Sequence, residues 1–314
     1  MDDYTGKGNT TNETASCPSS TCAPAHRADI ERIAHALSYK FDVLKALGAD
    51  QDYEYYLARE VVRGNLTGLK VLSTRAAHDI QKRELFYLET HADSMLSHFN
   101  IAGGGRPEEI EGVHYSVFEH KQEASTLRGL LDRSGWLDLH KAVEVCDQIA
   151  SALDYAHSVG VLHLNLQPEN VLVEPDGWVS VTGFGLEAGA RTAWAYRERL
   201  RRAAAPYLSA EALTGASVDH RSDLYSLGAI LYELLTDRVP FDSCDADYVR
   251  QRQATCAPAP PHLISKDVPE EVSKVVMRLL EKEPVNRFDS AAAFQTALDG
   301  ALKPGLRGGA GPGR

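Results

Sequence analysis

Neutral amides stand out among the residues that could do chemistry. In the run His163-Leu164-Asn165-Leu166-Gln167-Pro168-Glu169-Asn170, the side chains of Asn165, Gln167 and Asn170 can donate and accept hydrogen bonds. None of the three can act as a general base at working pH. A second group is basic: Arg191, Arg197, Arg199, Arg201 and Arg202 crowd one short stretch of a chain whose formal charge is −11. That stretch reads first as a solvated loop and second as a docking site for a protein partner, acidic or phosphorylated. Cys17 and Cys22 sit in a Ser/Thr/Pro-rich segment with no second ligand pair at zinc spacing, so no metal is expected there.

These groups need elements to position them, and two patterns supply the elements. Phe41 to Leu47, Tyr53 to Ala58, Leu66 to Leu72 and Val113 to Phe118 read as strands, interrupted by an amphipathic helical stretch from about Ala77 to Met95. From Leu139 onward helices dominate, since Leu139, Val143, Cys146, Ile149 and Leu153 recur at three- and four-residue steps. Leu224 to Leu235 is apolar nearly all round, as a helix buried inside a lobe would be. Short strands are expected at Val171 to Val173 and Val179 to Val181, on either side of a Pro-Asp-Gly turn. The expected division is a flexible tail at 1–27, a β-rich lobe at 28–118, a helical lobe at 119–302 and a second tail at 303–314, an α+β fold of two lobes.

With 314 residues, 43% of them hydrophobic, the chain can build such a core. The negative charge argues against nucleic acid or anionic membrane as a partner. No long apolar run or signal peptide is visible, and five cysteines, an odd number, suit a reducing compartment, so a cytoplasmic location is expected.

The loop from His163 to Asn170, followed by Val171-Leu172-Val173, resembles the protein kinase catalytic loop, H-R-D-L-K-P-E-N and its strand. Gly183-Phe184-Gly185 then stands where that family has D-F-G, and Ser209-Ala210-Glu211 where it has A-P-E. Thr67-Gly68-Leu69-Lys70 is similar to the strand-three motif V-A-I-K, with Glu89 at the spacing of its helix partner. The resemblance runs from about residue 40 to 300 and is nearest to bacterial Ser/Thr (Hanks-type) kinases, implying their bilobal kinase-like fold, a small β-rich lobe with one helix and a larger helical one.

By that resemblance His163, Phe184, Glu211, Asp223 and Arg287 are structural, and Gly48, Tyr55, Lys70, Glu89, Phe118, Glu119, His120, Asn170 and Leu172 would line a nucleotide site. The Lys70 and Glu89 pair reads first as a contact that orients the helix and second as a nucleotide contact. Asp93 stands where the family has an apolar packing residue, an arrangement that could displace the helix.

Departures fall on the reaction centre. Asn165 replaces the aspartate that takes the hydroxyl proton, Gln167 the lysine that contacts the transferring phosphate, and Gly183 the aspartate that holds magnesium. Asp50 and Tyr53 fill the second and third glycine positions of the phosphate-binding loop, and Tyr55 and Phe118 narrow the space for a base. Leu164 removes the arginine that would receive an activation-segment phosphate, and Ala203-Ala204-Ala205-Pro206-Tyr207 lacks the family's threonine. The resulting expectation is a pseudokinase, a non-catalytic protein-binding or allosteric module. The alternatives are a Ser/Thr kinase of low activity and an ATP sensor without phosphotransfer. No cofactor is expected, ATP would bind weakly, and magnesium is not expected to bind.

Overall fold

A computed structural model describes residues 27–187, 205–214, 216–242 and 246–303. The arginine-rich stretch at 191–202 and the pair Cys17 and Cys22 lie outside the described residues.

The smaller lobe is an antiparallel sheet. Its strands are β1 (Phe41–Ala49), β2 (Tyr53–Glu60), β3 (Leu66–Leu72), β4 (Glu108–Ile110) and β5 (Val113–Phe118), in the order β1-β2-β3-β5-β4. The alternation of side chains along a strand sends Tyr56, Ala58, Leu69, Val71, Val113 and Tyr115 to one buried face. Helix α1 (Arg27–Leu37) covers that face with Ile33, Ala36 and Leu37. This helix is absent from the strand and helix pattern read in the sequence, although Ile30, Ile33 and Leu37 follow helical spacing.

A helical turn, α2 (Thr74–Ala77), leads into α3 (Ile80–Ser94), whose first amides are capped by the Asp79 carboxylate. Helix α1 grips this entry: Arg32 Nη2 donates to Thr74 Oγ1 at 2.9 Å, and Thr74 Oγ1 donates to Asp29 Oδ1 at 3.3 Å.

After β6 (Ser125–Thr126) and α4 (Leu127–Ser134), the larger lobe is built on α5 (Leu139–Ser158) and α7 (His220–Thr236), with the short elements β7 (Val161–Leu162), β8 (Val171–Val173), β9 (Val179–Val181), β10 (Leu186–Glu187) and α6 (Ala210–Thr214) between them. Every residue of α7 from Ser222 to Thr236 is buried, because α5 and α10 (Glu270–Leu279) pack around it, with α8 (Ala246–Thr255), α9 (Pro261–Ile264) and α11 (Ala291–Leu302) completing the lobe. Each leucine or isoleucine so buried contributes about 1.5–3 kcal/mol, which makes this helix the centre of the lobe's stability. Among the described residues no helix is long and apolar enough to cross a membrane.

Candidate functional site

The face of the sheet that looks toward the larger lobe carries Lys70 on β3. Its ammonium lies 3.5 Å from buried Glu89 Oε2 on α3, so strand and helix are joined by a partly buried ion pair. Helix α3 is therefore drawn in, and Asp93 does not displace it. Room for Asp93 comes from Gly104, where a Cβ would fall 2.1 Å from Asp93 Oδ2.

Tyr53, at the start of β2, completes this corner. Its ring centre is 4.0 Å from the Lys70 ammonium, and its hydroxyl donates to Glu89 Oε2 at 2.8 Å. The turn before it is closed by Asp50, whose Oδ1 accepts the backbone N–H of Asp52 and of Tyr53 at 2.9 and 2.8 Å. Asp50 Oδ2 accepts the Tyr55 hydroxyl at 3.2 Å, and Lys82 on α3 pairs with Asp52. Burial, then the Asp50 charge, pushes the Tyr55 phenol well above its usual range, so it stays protonated.

Deeper in the cleft, Phe118 pairs with Gly68 across β5 and β3, and Tyr55 meets the Phe118 ring edge-on at 6.3 Å. The Phe118 ring occupies the space of a side chain at Gly68, where a Cβ would fall 2.1 Å from it. Gly48 lies opposite Tyr55 on β1. Beyond Phe118, the Glu119 N–H donates to Gly103 O, and its carboxylate pairs with Lys121 at 3.0 Å. Burial, then the Lys45 charge, lowers the pKa of His120, leaving it neutral near pH 7. Half-buried Leu172 on β8 forms part of the opposite lobe's short sheet.

The loop between the lobes hangs from Asp223 at the start of α7. This fully buried carboxylate accepts the backbone N–H of His163 at 2.9 Å and of Leu164 at 2.8 Å, and the ring N–H of His157 at 2.8 Å. Burial alone would raise its pKa, but the His157 hydrogen bond and charge outweigh it and hold the carboxyl below its ordinary value. Leu164 is held at φ 58, a strained conformation for leucine that the Asp223 contact fixes. His163 donates through Nε2 to Thr182 O at 3.1 Å and accepts the Asn165 N–H at Nδ1, so the ring is the neutral Nε2–H tautomer. Its ring lies 4.7 Å from that of Phe184.

Asn165, Asn170 and Gly183 are brought together here. The Asn170 amide donates to Asn165 O at 2.7 Å, and Gly183, at φ 73, has Asn170 Cγ 4.0 Å from where its Cβ would be. Asn165 Oδ1 is buried and accepts no hydrogen bond among the described residues. Gln167 lies just before them, its carbonyl accepting the Asn170 N–H. A divalent magnesium ion does not fit this donor set, which offers neutral amide oxygens and, at Gly183, no side chain. Among the described residues no group of three or more His, Cys, Asp or Glu side chains could hold a metal ion.

Farther out, Arg287 forms a bidentate pair with Glu211, Nη1 to Oε1 at 2.7 Å and Nη2 to Oε2 at 2.8 Å, with Ser222 Oγ donating to the same carboxylate. Burial pushes Glu211 up, but the Arg287 guanidinium more than offsets it and the carboxyl lies below its usual range. Two contacts that sequence reasoning missed steady the neighbouring segment. Buried Gln253 on α8 donates to Ala205 O at 2.7 Å, and Tyr207 donates to Glu233, which Arg128 also binds.

Against known families, the protein kinase domain matches residues 41–298. The chain belongs to the protein kinase family. Among its relatives are a serine/threonine-protein kinase of Myxococcus xanthus, 31% identical over 287 residues, which cover 87% of this chain and 52% of the relative, and a probable serine/threonine-protein kinase of Clostridium acetobutylicum, 29% identical over 259 residues, 82% of this chain and 39% of the relative. The chain thus spans about two fifths to half the length of these relatives. Among solved structures, the PknI kinase domain of Mycobacterium tuberculosis superposes with a TM-score of 0.66 at 25% identity, covering 83% of this chain and 96% of that one. These kinase relatives overturn the expectation of a non-catalytic protein-binding or allosteric module. The kinase domain persists across residues 41–298 despite the lost groups, and a kinase of low activity fits the relatives better.

Proposed function

We propose that this kinase domain is a Ser/Thr protein phosphotransferase of low activity, acting on a protein substrate in the cytoplasm and taking phosphate from weakly held ATP. The observation that carries the reading is the Lys70–Glu89 pair at 3.5 Å, which keeps β3 and α3 in a position to present the ammonium to a phosphate. Asn165 supports it, since its amide oxygen has no partner among the described residues and, once uncovered, can accept a substrate hydroxyl and orient it for attack on the γ-phosphorus.

As the new P–O bond forms and the bond to ADP breaks, the hydroxyl proton passes to an oxygen of the transferred phosphoryl group, because Asn165 cannot take it. Lack of a general base slows such a step by roughly 10² to 10⁴, hence the low activity.

Radiolabelled phosphate from ATP should appear on the protein or on a generic protein substrate, and should disappear in a folded Lys70→Ala variant. Label that persists in that variant, or none in either protein, would end the reading. A second reading, an ATP sensor without phosphotransfer, is favoured by Gly183, which offers no side-chain metal ligand. It expects the same thermal stabilisation by ATP with and without magnesium, and no labelled product.

A further inference from the structure

A polyphosphate bound in this cleft would need two things from the protein: the Lys70 ammonium and the backbone N–H groups of the β1–β2 turn. Both are already engaged from within. The turn's N–H groups at Asp52 and Tyr53 donate to the Asp50 carboxylate, an internal anion, at 2.9 and 2.8 Å. The ammonium is faced by the Tyr53 ring at 4.0 Å. The Tyr53 hydroxyl sits 2.8 Å from Glu89 Oε2, whereas Lys70 is 3.5 Å from that oxygen, outside the 2.7–2.9 Å of a charge-assisted hydrogen bond. The tyrosine has taken the closer place on the carboxylate. Lys82, paired with Asp52, ties the turn to α3 in this arrangement.

We propose that the β1–β2 turn is an autoinhibitory plug, with Asp50 filling the anion position and Tyr53 covering Lys70, so that a nucleoside triphosphate binds only after the turn swings outward. The plug rests on the reading of this cleft as a nucleotide site. It explains low affinity by competition from the chain itself, separately from the missing carboxylates that slow the chemistry.

The test uses the full chain and two probes, metal-free inorganic tripolyphosphate and ATP, titrated by calorimetry. Tyr53→Phe keeps the packing and removes only the hydroxyl. It should bind tripolyphosphate about threefold tighter, as expected for loss of one competing hydrogen bond. Asp50→Gly with Tyr53→Phe should gain about tenfold or more for both probes, and adding Lys70→Ala should cancel that gain. Tyr55→Ala, which opens the base position and also removes one hydrogen bond to Asp50, should improve ATP more than tripolyphosphate. Unchanged tripolyphosphate affinity in Tyr53→Phe, with cooperative unfolding retained, would overturn the plug, and so would a gain that survives Lys70→Ala. The radiolabel assay on the wild-type chain judges the phosphotransfer reading separately, since affinity can rise in the variants whether or not label is transferred.

Discussion

The lower scaffold and the upper cleft of this kinase domain solve opposite problems with the same residue types. Beneath the cleft, charges are buried and matched: Asp223 receives three N–H groups, and Arg287 meets Glu211 through two parallel hydrogen bonds. Within the cleft, Lys70 and Asp50, residues suited to meeting a ligand or to repelling one, are turned on neighbouring side chains and amides. The difference teaches that the fold is held by contacts that never touch a substrate. Chemistry can therefore drift in the cleft while the architecture stays put.

The largest effect should come from refilling the reaction centre. Asn165→Asp combined with Gly183→Asp restores a proton acceptor and a carboxylate, at a φ of 73 that strains most side chains but that Asp tolerates better than most, and the phosphotransfer rate should rise by roughly 10² to 10⁴ and become magnesium-dependent. Initial rates with and without magnesium measure this. A flat result would mean that the self-occupied turn, rather than the lost carboxylates, limits the cleft.

Breaking the scaffold should cost stability instead of rate. Arg287→Met leaves Glu211 buried without its partner and should destabilise the chain by about 3–5 kcal/mol in denaturant unfolding. A loss below about 1 kcal/mol would erase the distinction between scaffold and cleft.

The scaffold's buried carboxylates give a pH signature. Glu211 and Asp223 both titrate below their ordinary values, so the stability they add is fully present above the unfolded carboxylate range. It is lost as pH falls through their lowered folded values. Acid unfolding followed by circular dichroism should show that loss below about pH 4, and Arg287→Met should flatten the part due to Glu211.

The smallest effect concerns the aromatic filling. Gly68→Ala drives a methyl into the Phe118 ring and should cost about 1–3 kcal/mol, and adding Phe118→Leu should return most of it. Additive losses in that double-mutant cycle would show that the ring does not depend on the glycine.

Much of this architecture is legible in the sequence. Strands β3 and β5 begin and end at the residues the apolar pattern marks, and α7 is buried all round as its composition requires. The ordered run from Lys70 to Arg287 reveals the family, because widely spaced landmarks at fixed intervals are hard to produce by chance. Helix α1 is harder to read because it follows a polar segment and lies ahead of the matched region, though Ile33 and Leu37 carry its packing. Tyr53 is readable only as a lost glycine. Its contact with Lys70 and Glu89 depends on how Asp50 folds the turn, and no periodicity encodes that. Likewise, the tolerance of Asp93 depends on Gly104, a neighbour only in three dimensions.

The hold of α1 on Thr74 has a mechanical side. A rigid rod packed across the back of the sheet is fastened to the hinge from which the Glu89-bearing helix departs. Residues ahead of the matched kinase region are thus tied by two hydrogen bonds to the turn that leads into the Glu89-bearing helix, outside the cleft.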